Sequence, residues 1–311
     1  MNALVEVRHL SKRFGSFDAV HDLSFTVYEG DVFGFLGQNG AGKSTTIRML
    51  LSLVRPTSGE IRVFGKELRE AREEILLRTG SIIENPDLYP YLTGFENLRL
   101  FTRLGRVDAS RLALMERLEQ VGLASRAHDA VRTYSQGMKQ RLGIAVALVQ
   151  DPLLVILDEP TNGLDPQGIV DIRNLILRLN REEGKTFLVS SHLLNEVELI
   201  ANRMLIIDKG RKIAEGSVRE LIDPERVLLE LETTDSGATV LFMQASRWSD
   251  ALRPSTSDRL MLDISRDDVP RIAQSLVEQG IGIRSMKPVN SLEAYFLSLT
   301  NTPAHVAAGR D

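Results

Sequence analysis

Residues Gly37 to Thr45 read GQNGAGKST: a glycine, four residues, then Gly42-Lys43-Ser44. The run lies between an apolar stretch suited to a strand, Asp31 to Leu36, and a helical stretch, Thr45 to Leu53. A glycine-rich loop between a strand and a helix commits the chain to an α/β fold built around a phosphate-binding P-loop. Gly37, Gly40 and Gly42 free the backbone to turn successive N–H groups inward, and the following helix brings its positive end to the same point, so a polyphosphate is held there. The loop residues Gln38, Asn39, Ala41 and Thr45 complete the cradle. Lys43 is expected to reach the β- and γ-phosphates, and Ser44 to hold Mg²⁺.

Two further segments supply what a P-loop alone lacks. Leu153 to Pro160 reads LLVILDEP, a short apolar run suited to a strand buried on both faces that ends in adjacent carboxylates. Asp158 at the strand end can hold Mg²⁺ through water, and Glu159 can polarise the water that attacks a γ-phosphate. Between the two sites, Tyr134-Ser135-Gln136-Gly137-Met138-Lys139-Gln140-Arg141 runs into the apolar stretch Leu142 to Leu148. Ser135 is the expected N-cap of a helix whose N-terminus is free to meet an anion.

With these motifs the sequence resembles the ATP-binding cassette (ABC) ATPases over about its first 220 residues. The family signature is usually Leu-Ser-Gly-Gly-Gln; this chain keeps the Ser and the second Gly, while Gln136 and Met138 replace the first Gly and the final Gln. Asn162-Gly163-Leu164-Asp165 stands where the family has its D-loop. His192, after the apolar run Thr186 to Ser191, stands where it has the histidine that contacts the γ-phosphate. Phe14 matches the aromatic that stacks on adenine. The resemblance implies ATP and Mg²⁺ as ligands and a head-to-tail homodimer, with ATP between Gly37 to Thr45 of one copy and Ser135, Gln136 and Gly137 of the other. Asp165, in the D-loop match, is counted with them among the residues that bind the nucleotide. Lys43, Glu159 and His192 carry the hydrolysis.

At one position the chain departs from the common pattern. Most members have a glutamine in a loop after a strand, where this chain reads Ser81-Ile82-Ile83-Glu84-Asn85-Pro86, and no Gln lies between Gly80 and Phe95. Glu84 offers Mg²⁺ an anionic oxygen in place of a neutral one, and a hard cation accepts either. A Glu here resembles the subgroup that exports bacitracin, lantibiotics and related peptides. That resemblance implies an ATPase subunit working through a separate multi-span membrane permease, at the cytoplasmic face of the membrane. A soluble ABC protein acting on ribosomes or nucleic acid is the competing class. It lacks support, since neither a long coiled-coil insertion nor a second cassette is present.

Composition bounds this reading. The 311 residues suffice for one large domain and a small one. Absence of cysteine excludes disulfides and thiolate chemistry and fits a reducing cytosol. No apolar run approaches the roughly 20 residues of a membrane helix, and Met1 to Glu6 lacks the regions of a signal peptide. A net charge of −4 argues against nucleic acid as the main ligand.

Periodicity gives the organisation. Val5, Val7 and Leu10, then Leu23, Phe25 and Val27, alternate as antiparallel strands. The run Lys66 to Glu74, KELREAREE, mixes charges at helical spacing and predicts an exposed helix with side-chain pairs. From Phe95 to Val121 apolar residues recur at helical spacing, a helical subdomain spanning about residues 94–150. After Glu159 the pattern predicts a helix over Pro166 to Glu183, a strand before His192, a helix over Leu193 to Ala201 and a strand over Met204 to Asp208. The ATP-binding domain is expected over residues 1–224.

Residues 225–300 read as strand (Val227 to Leu231), helix (Ala238 to Ala245), two strand-like runs (Trp248 to Leu252 and Arg259 to Ile264), helix (Val269 to Gln279), strand (Ile281 to Met286) and helix (Ser291 to Leu299). The order βαββαβα suggests a small ferredoxin-like accessory domain. The tail 301–311 is small and polar and is expected to be disordered.

Overall fold

The computed structural model describes residues 2–84, 86–107, 109–221, 226–253 and 259–289. The chain divides after Val218 into two units. The first opens with the long strands β1 (Ala3–Phe14) and β2 (Phe17–Tyr28), then β3 (Val32–Leu36), α1 (Lys43–Leu50), β4 (Ser58–Val63), β5 (Lys66–Glu67), α2 (Arg72–Leu77) and β6 (Thr79–Ile82). Helices α3 (Gly94–Leu104), α4 (Arg111–Gln120) and α5 (Gln136–Ala147) follow. Then come β7 (Leu154–Asp158), α6 (Pro166–Glu183), β8 (Thr186–Ser191), α7 (Leu194–Glu198), β9 (Arg203–Asp208) and β10 (Arg211–Ser217), and the short α8 (Val218–Leu221) spans the division.

Two sheets result. One has the order β2-β1-β4-β5 and is antiparallel; the other has the order β10-β9-β3-β8-β7-β6 and is parallel except for β10. All residues of β3, β7 and β8 are buried, because the parallel sheet is covered on both faces. Alternation along β7 divides two cores between those faces: Leu154 and Ile156 join the antiparallel sheet's core, while Val155 and Leu157 join the helices' core. On the first face Val5 pairs with Val27, Val7 with Phe25 and Leu10 with Leu23. Phe25 lies 5.8 Å from both Phe33 and Phe35, ring centre to ring centre, so aromatic contact joins the two sheets. On the second face Phe95 and Leu98 of α3, Leu114 and Leu118 of α4 and Leu142 and Ile144 of α5 pack against the sheet.

Helix α3 starts with a capping box. Thr93 Oγ1 accepts from Glu96 N at 3.1 Å, and Glu96 Oε2 accepts from Thr93 N at 2.9 Å. The Thr93 backbone N–H, followed by its hydroxyl, holds the Glu96 carboxyl below the usual glutamate value. Nearby, Tyr134 O–H donates to Arg126 O at 2.6 Å, and burial pushes this phenol upward. A Cβ on Gly94 would stand 2.3 Å from the Tyr134 hydroxyl, so the start of α3 and the residue before Ser135 are packed in contact.

Four sequence expectations need correction. The helix after the P-loop covers Lys43–Leu50 rather than Thr45 to Leu53, because Ser52 takes φ +57 and ends it. Lys66 to Glu74 is not one helix. Lys66–Glu67 pairs with Arg62 and Val63 through the two-residue turn Phe64-Gly65, where φ is +54 and +75, and the helix starts only at Arg72. The expected side-chain pair is nonetheless there, Lys66 Nζ with Glu74 Oε2 at 2.6 Å. The helix predicted over Leu193 to Ala201 is shorter, Leu194–Glu198. In the second unit, Trp248 to Leu252 is not a strand: a 3₁₀ turn occupies Ser249–Ala251, and Trp248 packs into the core instead.

That second unit contains β11 (Arg226–Thr233), α9 (Ser236–Ala245), β12 (Leu252–Arg253), β13 (Leu260–Ser265), α10 (Asp268–Glu278) and β14 (Ile283–Val289). Its sheet is antiparallel with the order β12-β13-β11-β14, the interleaving of two βαβ units. Leu229, Leu231, Met243, Leu262, Ile272 and Leu276 are fully buried in its core. The helix expected over Ser291 to Leu299, the tail 301–311 and the expected boundary at 224/225 lie outside the described residues.

Candidate nucleotide site

Parallel strands end on the same side of a sheet, so β3, β6, β7 and β8 deliver their C-terminal residues to one edge. The P-loop follows β3. Gly42 caps α1 with φ +105, and a Cβ there would lie 2.6 Å from Ala19 O, so both the conformation and the space require glycine. Gly37 is needed for space alone: its Cβ would stand 2.7 Å from Ile207 O. The loop is tied down by Gly37 N donating to Ser191 O and Gly210 N donating to Ala41 O. Gln38, Asn39 and Gly40 form its exposed crest, while Ser44 and Thr45 are half-buried in the first turn of α1.

The three residues expected to carry hydrolysis meet here. Lys43 is 5% exposed and donates to Gly37 O at 2.6 Å and Gln38 O at 3.3 Å. Its Nζ also lies 3.1 Å from Glu159 Oε1. The other carboxylate oxygen, Oε2, is 2.8 Å from His192 Nδ1. Glu159 thus joins the P-loop after β3 to the histidine after β8. It does so from φ +50, a conformation a non-glycine residue keeps only when its surroundings over-determine it.

Asp158, the last residue of β7, is fully buried. Ser190 Oγ donates to its Oδ1 at 2.5 Å, and its Oδ2 has no hydrogen-bond partner. A buried, unpaired carboxylate oxygen is costly unless a cation or its water answers it. Helix α1, which carries Ser44, packs against β7. A hydroxyl and one carboxylate are the protein's usual share of a Mg²⁺ site, the remaining positions going to phosphate and water. The residues therefore fit such an ion, which Ser44 and Asp158 could hold between them. Among the described residues no three His, Asp or Glu side chains gather as a self-sufficient metal site.

Glu84, read from the sequence as a metal-side residue, has a cation of the protein as its partner here. It follows β6, is exposed, takes φ +60, and its carboxylate lies 2.5 Å from Arg48 Nη2 on α1. Asn85, also read as part of that motif, lies outside the described residues.

Phe14 ends β1 with 49% of its surface exposed and Lys12 Nζ 4.7 Å from the ring centre. It is not a core residue. Phe17, across the turn, is exposed as well.

Ser135 caps α5 as expected, accepting from Met138 N at 3.2 Å. Asp165 does the same for α6, accepting from Gly168 N at 3.1 Å with Pro166 next in the helix. The two helix starts share a cleft of about 140 Å³ lined by Ser135, Gly137, Arg141, Asp165, Gln167, Gly168 and Asp171. Gln136 lies in the first turn of α5. A wider hollow of about 650 Å³ on the antiparallel sheet, lined by residues such as Arg8, His9 and Glu60, contains none of the predicted site residues.

Two contacts at this edge escaped the sequence reading. Arg48 looks like an ordinary surface residue of a helix until the loop after β6 folds beside it. Ser190 gives no signal as one of two serines before a histidine; only the register that sets it opposite Asp158 reveals its position.

Comparisons with known proteins agree with this geometry. Residues 20–162 match the family model described as ABC transporter. YhcH, an uncharacterized ABC transporter ATP-binding protein of Bacillus subtilis, is 40% identical over 303 residues, covering 96% of this chain and 97% of its own. BcrA, a bacitracin transport ATP-binding protein of Bacillus licheniformis, is 39% identical over 310 residues, covering 96% of this chain and 98% of its own. A dimeric ATP-binding cassette in a post-hydrolysis state, bound to ADP and Pi, superimposes with a TM-score of 0.63 at 27% identity, covering 70% of this chain and 99% of that one.

Proposed function

The chain belongs to the ABC transporter family as an ATP-binding protein and ATP hydrolase, and from that premise we propose that it powers export through a separate multi-span permease. The observation that carries the catalytic part is Glu159 held between Lys43 and His192. In this reading Lys43 and the P-loop amides bind the β- and γ-phosphates, Phe14 stacks on adenine, and Glu159 orients the attacking water. His192, fixed by the same carboxylate, steadies the charge that develops on the γ-phosphate. Ser44 and Asp158 would hold Mg²⁺, which when bound would neutralise charge on the phosphates.

A single chain offers the P-loop on one element and the Ser135 to Gly137 helix start on another. Two copies arranged head to tail give each ATP both surfaces, as the dimeric relative supports. The cleft beside Ser135 and Asp165 is the face each copy then presents to its partner's phosphates. No helix among the described residues is long and apolar enough to cross a membrane, so transport requires a partner that does. The subunit then sits at the inner face of the membrane through that partner. The bacitracin transport protein among the relatives supports a peptide-antibiotic cargo.

The test is purification of the tagged chain from gently solubilised membranes of its host. A multi-span protein in fixed stoichiometry, whose addition changes the ATPase rate, is the expected result. Ribosomes or nucleic acid in its place would overturn the export reading and favour a soluble ABC protein.

A further inference from the structure

The hydroxyl of Ser190 touches both arms of the hydrolytic site. Ser190 is fully buried near the end of β8 and stands directly opposite Asp158 in the parallel register. A serine hydroxyl has one hydrogen to give and lone pairs to receive. The hydrogen goes to Asp158 Oδ1 at 2.5 Å, and Oγ accepts the backbone N–H of Glu159 at 2.9 Å.

Each bond has a consequence. A carboxylate with one oxygen tied loses rotation about its own axis, so the unpaired Oδ2 keeps a single direction. Glu159 lies just past the end of β7 with φ +50, where the sheet ladder gives its N–H no partner. Ser190 replaces that ladder bond and holds the backbone from which the Glu159 carboxylate reaches Lys43 and His192. The geometry points to Ser190 as a positioning residue that sets the metal-side carboxylate and the water-orienting carboxylate together. Outer groups that orient a metal ligand are commonly worth roughly 10–100-fold in metal affinity or activity.

This inference rests on the Mg²⁺ assignment to Asp158 made above, and the experiment separates the two. Ser190→Ala, Ser190→Thr and wild type are compared in three measurements. These are the Mg²⁺ concentration giving half-maximal hydrolysis, binding of Mn²⁺ with adenylyl imidodiphosphate followed by the electron paramagnetic resonance of free Mn²⁺, and metal-free binding of a fluorescent ATP analogue. Ser190→Ala is expected to raise the half-maximal Mg²⁺ and weaken Mn²⁺ binding by about tenfold, with metal-free nucleotide binding unchanged. Ser190→Thr, which retains the hydroxyl, is expected to restore both.

A folded Ser190→Ala with the wild-type metal requirement overturns the inference and leaves the Mg²⁺ assignment intact. Wild type that binds no Mn²⁺ alongside the nucleotide overturns the assignment, and the inference with it. A merely structural serine would cost stability and leave the metal requirement alone. Should Ser190→Ala not fold, Ser190→Cys, close in size and a poor donor, must show the same rise or the inference fails.

Discussion

Neighbouring strands β6 and β7 are both followed by a glutamate in a left-handed conformation, Glu84 at φ +60 and Glu159 at φ +50. Such backbones cost on the order of 1–3 kcal/mol each, so each needs a compensating environment. Glu159 finds it in a nearly closed one: its N–H meets Ser190, and its two oxygens meet Lys43 and His192, with its side chain only 17% exposed. Glu84 has one ion-pair partner, Arg48, and its side chain is 63% exposed. A surface ion pair contributes about 0–1 kcal/mol, less than the backbone conformation costs. The first glutamate is held on three sides and the second on one. That difference suits the proposed roles: a hydrolytic group has to be placed the same way in every cycle, whereas a group that reports to a membrane partner has to move.

Glu159→Gln breaks the comparison at its fixed end. The amide keeps the shape and loses the charge that binds Lys43 and His192. Hydrolysis is expected to fall at least about 100-fold, with ATP binding retained, and light scattering should find a dimer in saturating Mg-ATP. A monomer under those conditions would contradict the head-to-tail arrangement, and turnover near wild type would remove Glu159 from its role. His192→Ala is the next step down. It removes one charge-assisted bond of about 1.5–3 kcal/mol, which corresponds to a roughly ten- to hundredfold loss in rate if that bond is spent at the transition state.

The movable end is tested by Glu84→Gln, Arg48→Ala and the double variant. Their coupling in a mutant cycle should not exceed about 1 kcal/mol of stability, and nucleotide binding should stay at the wild-type level. The difference should emerge in turnover or in its response to the permease. If hydrolysis and export are both unchanged in Glu84→Gln, the coupling role is gone. A large stability loss instead would place Glu84 with Glu159 among the fixed carboxylates.

Legibility in the sequence followed the same division. Lys43, Asp158, Glu159 and His192 were readable because each follows a pattern that local chemistry enforces: a glycine loop, an apolar strand with a polar end, a histidine after a strand. The long periodic elements, such as the pairing of Val5 with Val27 and the α6 helix from Pro166 to Glu183, were readable for the same reason. What stayed hidden depends on register or on turns without the usual residues. Ser190 matters because it lies opposite Asp158. The Phe64-Gly65 turn folded the start of a charged run that looked helical back into a strand, and a phenylalanine at φ +54 carries no turn signal. Trp248 to Leu252 was misread as strand because so short a run carries no clear period; its ring is buried in the second unit's core and Ser249–Ala251 forms a 3₁₀ turn.

A third glutamate gives the scale for both. Glu96 is held by neither a buried site nor a distant ion pair but by the cap of its own helix, receiving the N–H of Thr93 and its hydroxyl. Those bonds favour the ionised carboxyl, which is why its proton is lost below the usual value of 4.5. A carboxyl that is a stronger acid in the folded chain than in the unfolded one stabilises the fold at all pH values above the unfolded value. It loses that contribution as acid titrates the folded form. The stability gap between wild type and Glu96→Ala, read by urea unfolding of the first unit's helical signal, should therefore be constant across neutral pH and narrow only below 4.5. A gap that instead changed between mildly alkaline and mildly acidic pH would mean that a histidine governs the cap, with His128, beside Phe95, the nearest candidate. Because this bond is local, its loss should leave the rate of hydrolysis unchanged, which sets a lower limit against which the effects at Glu84 and Glu159 can be measured.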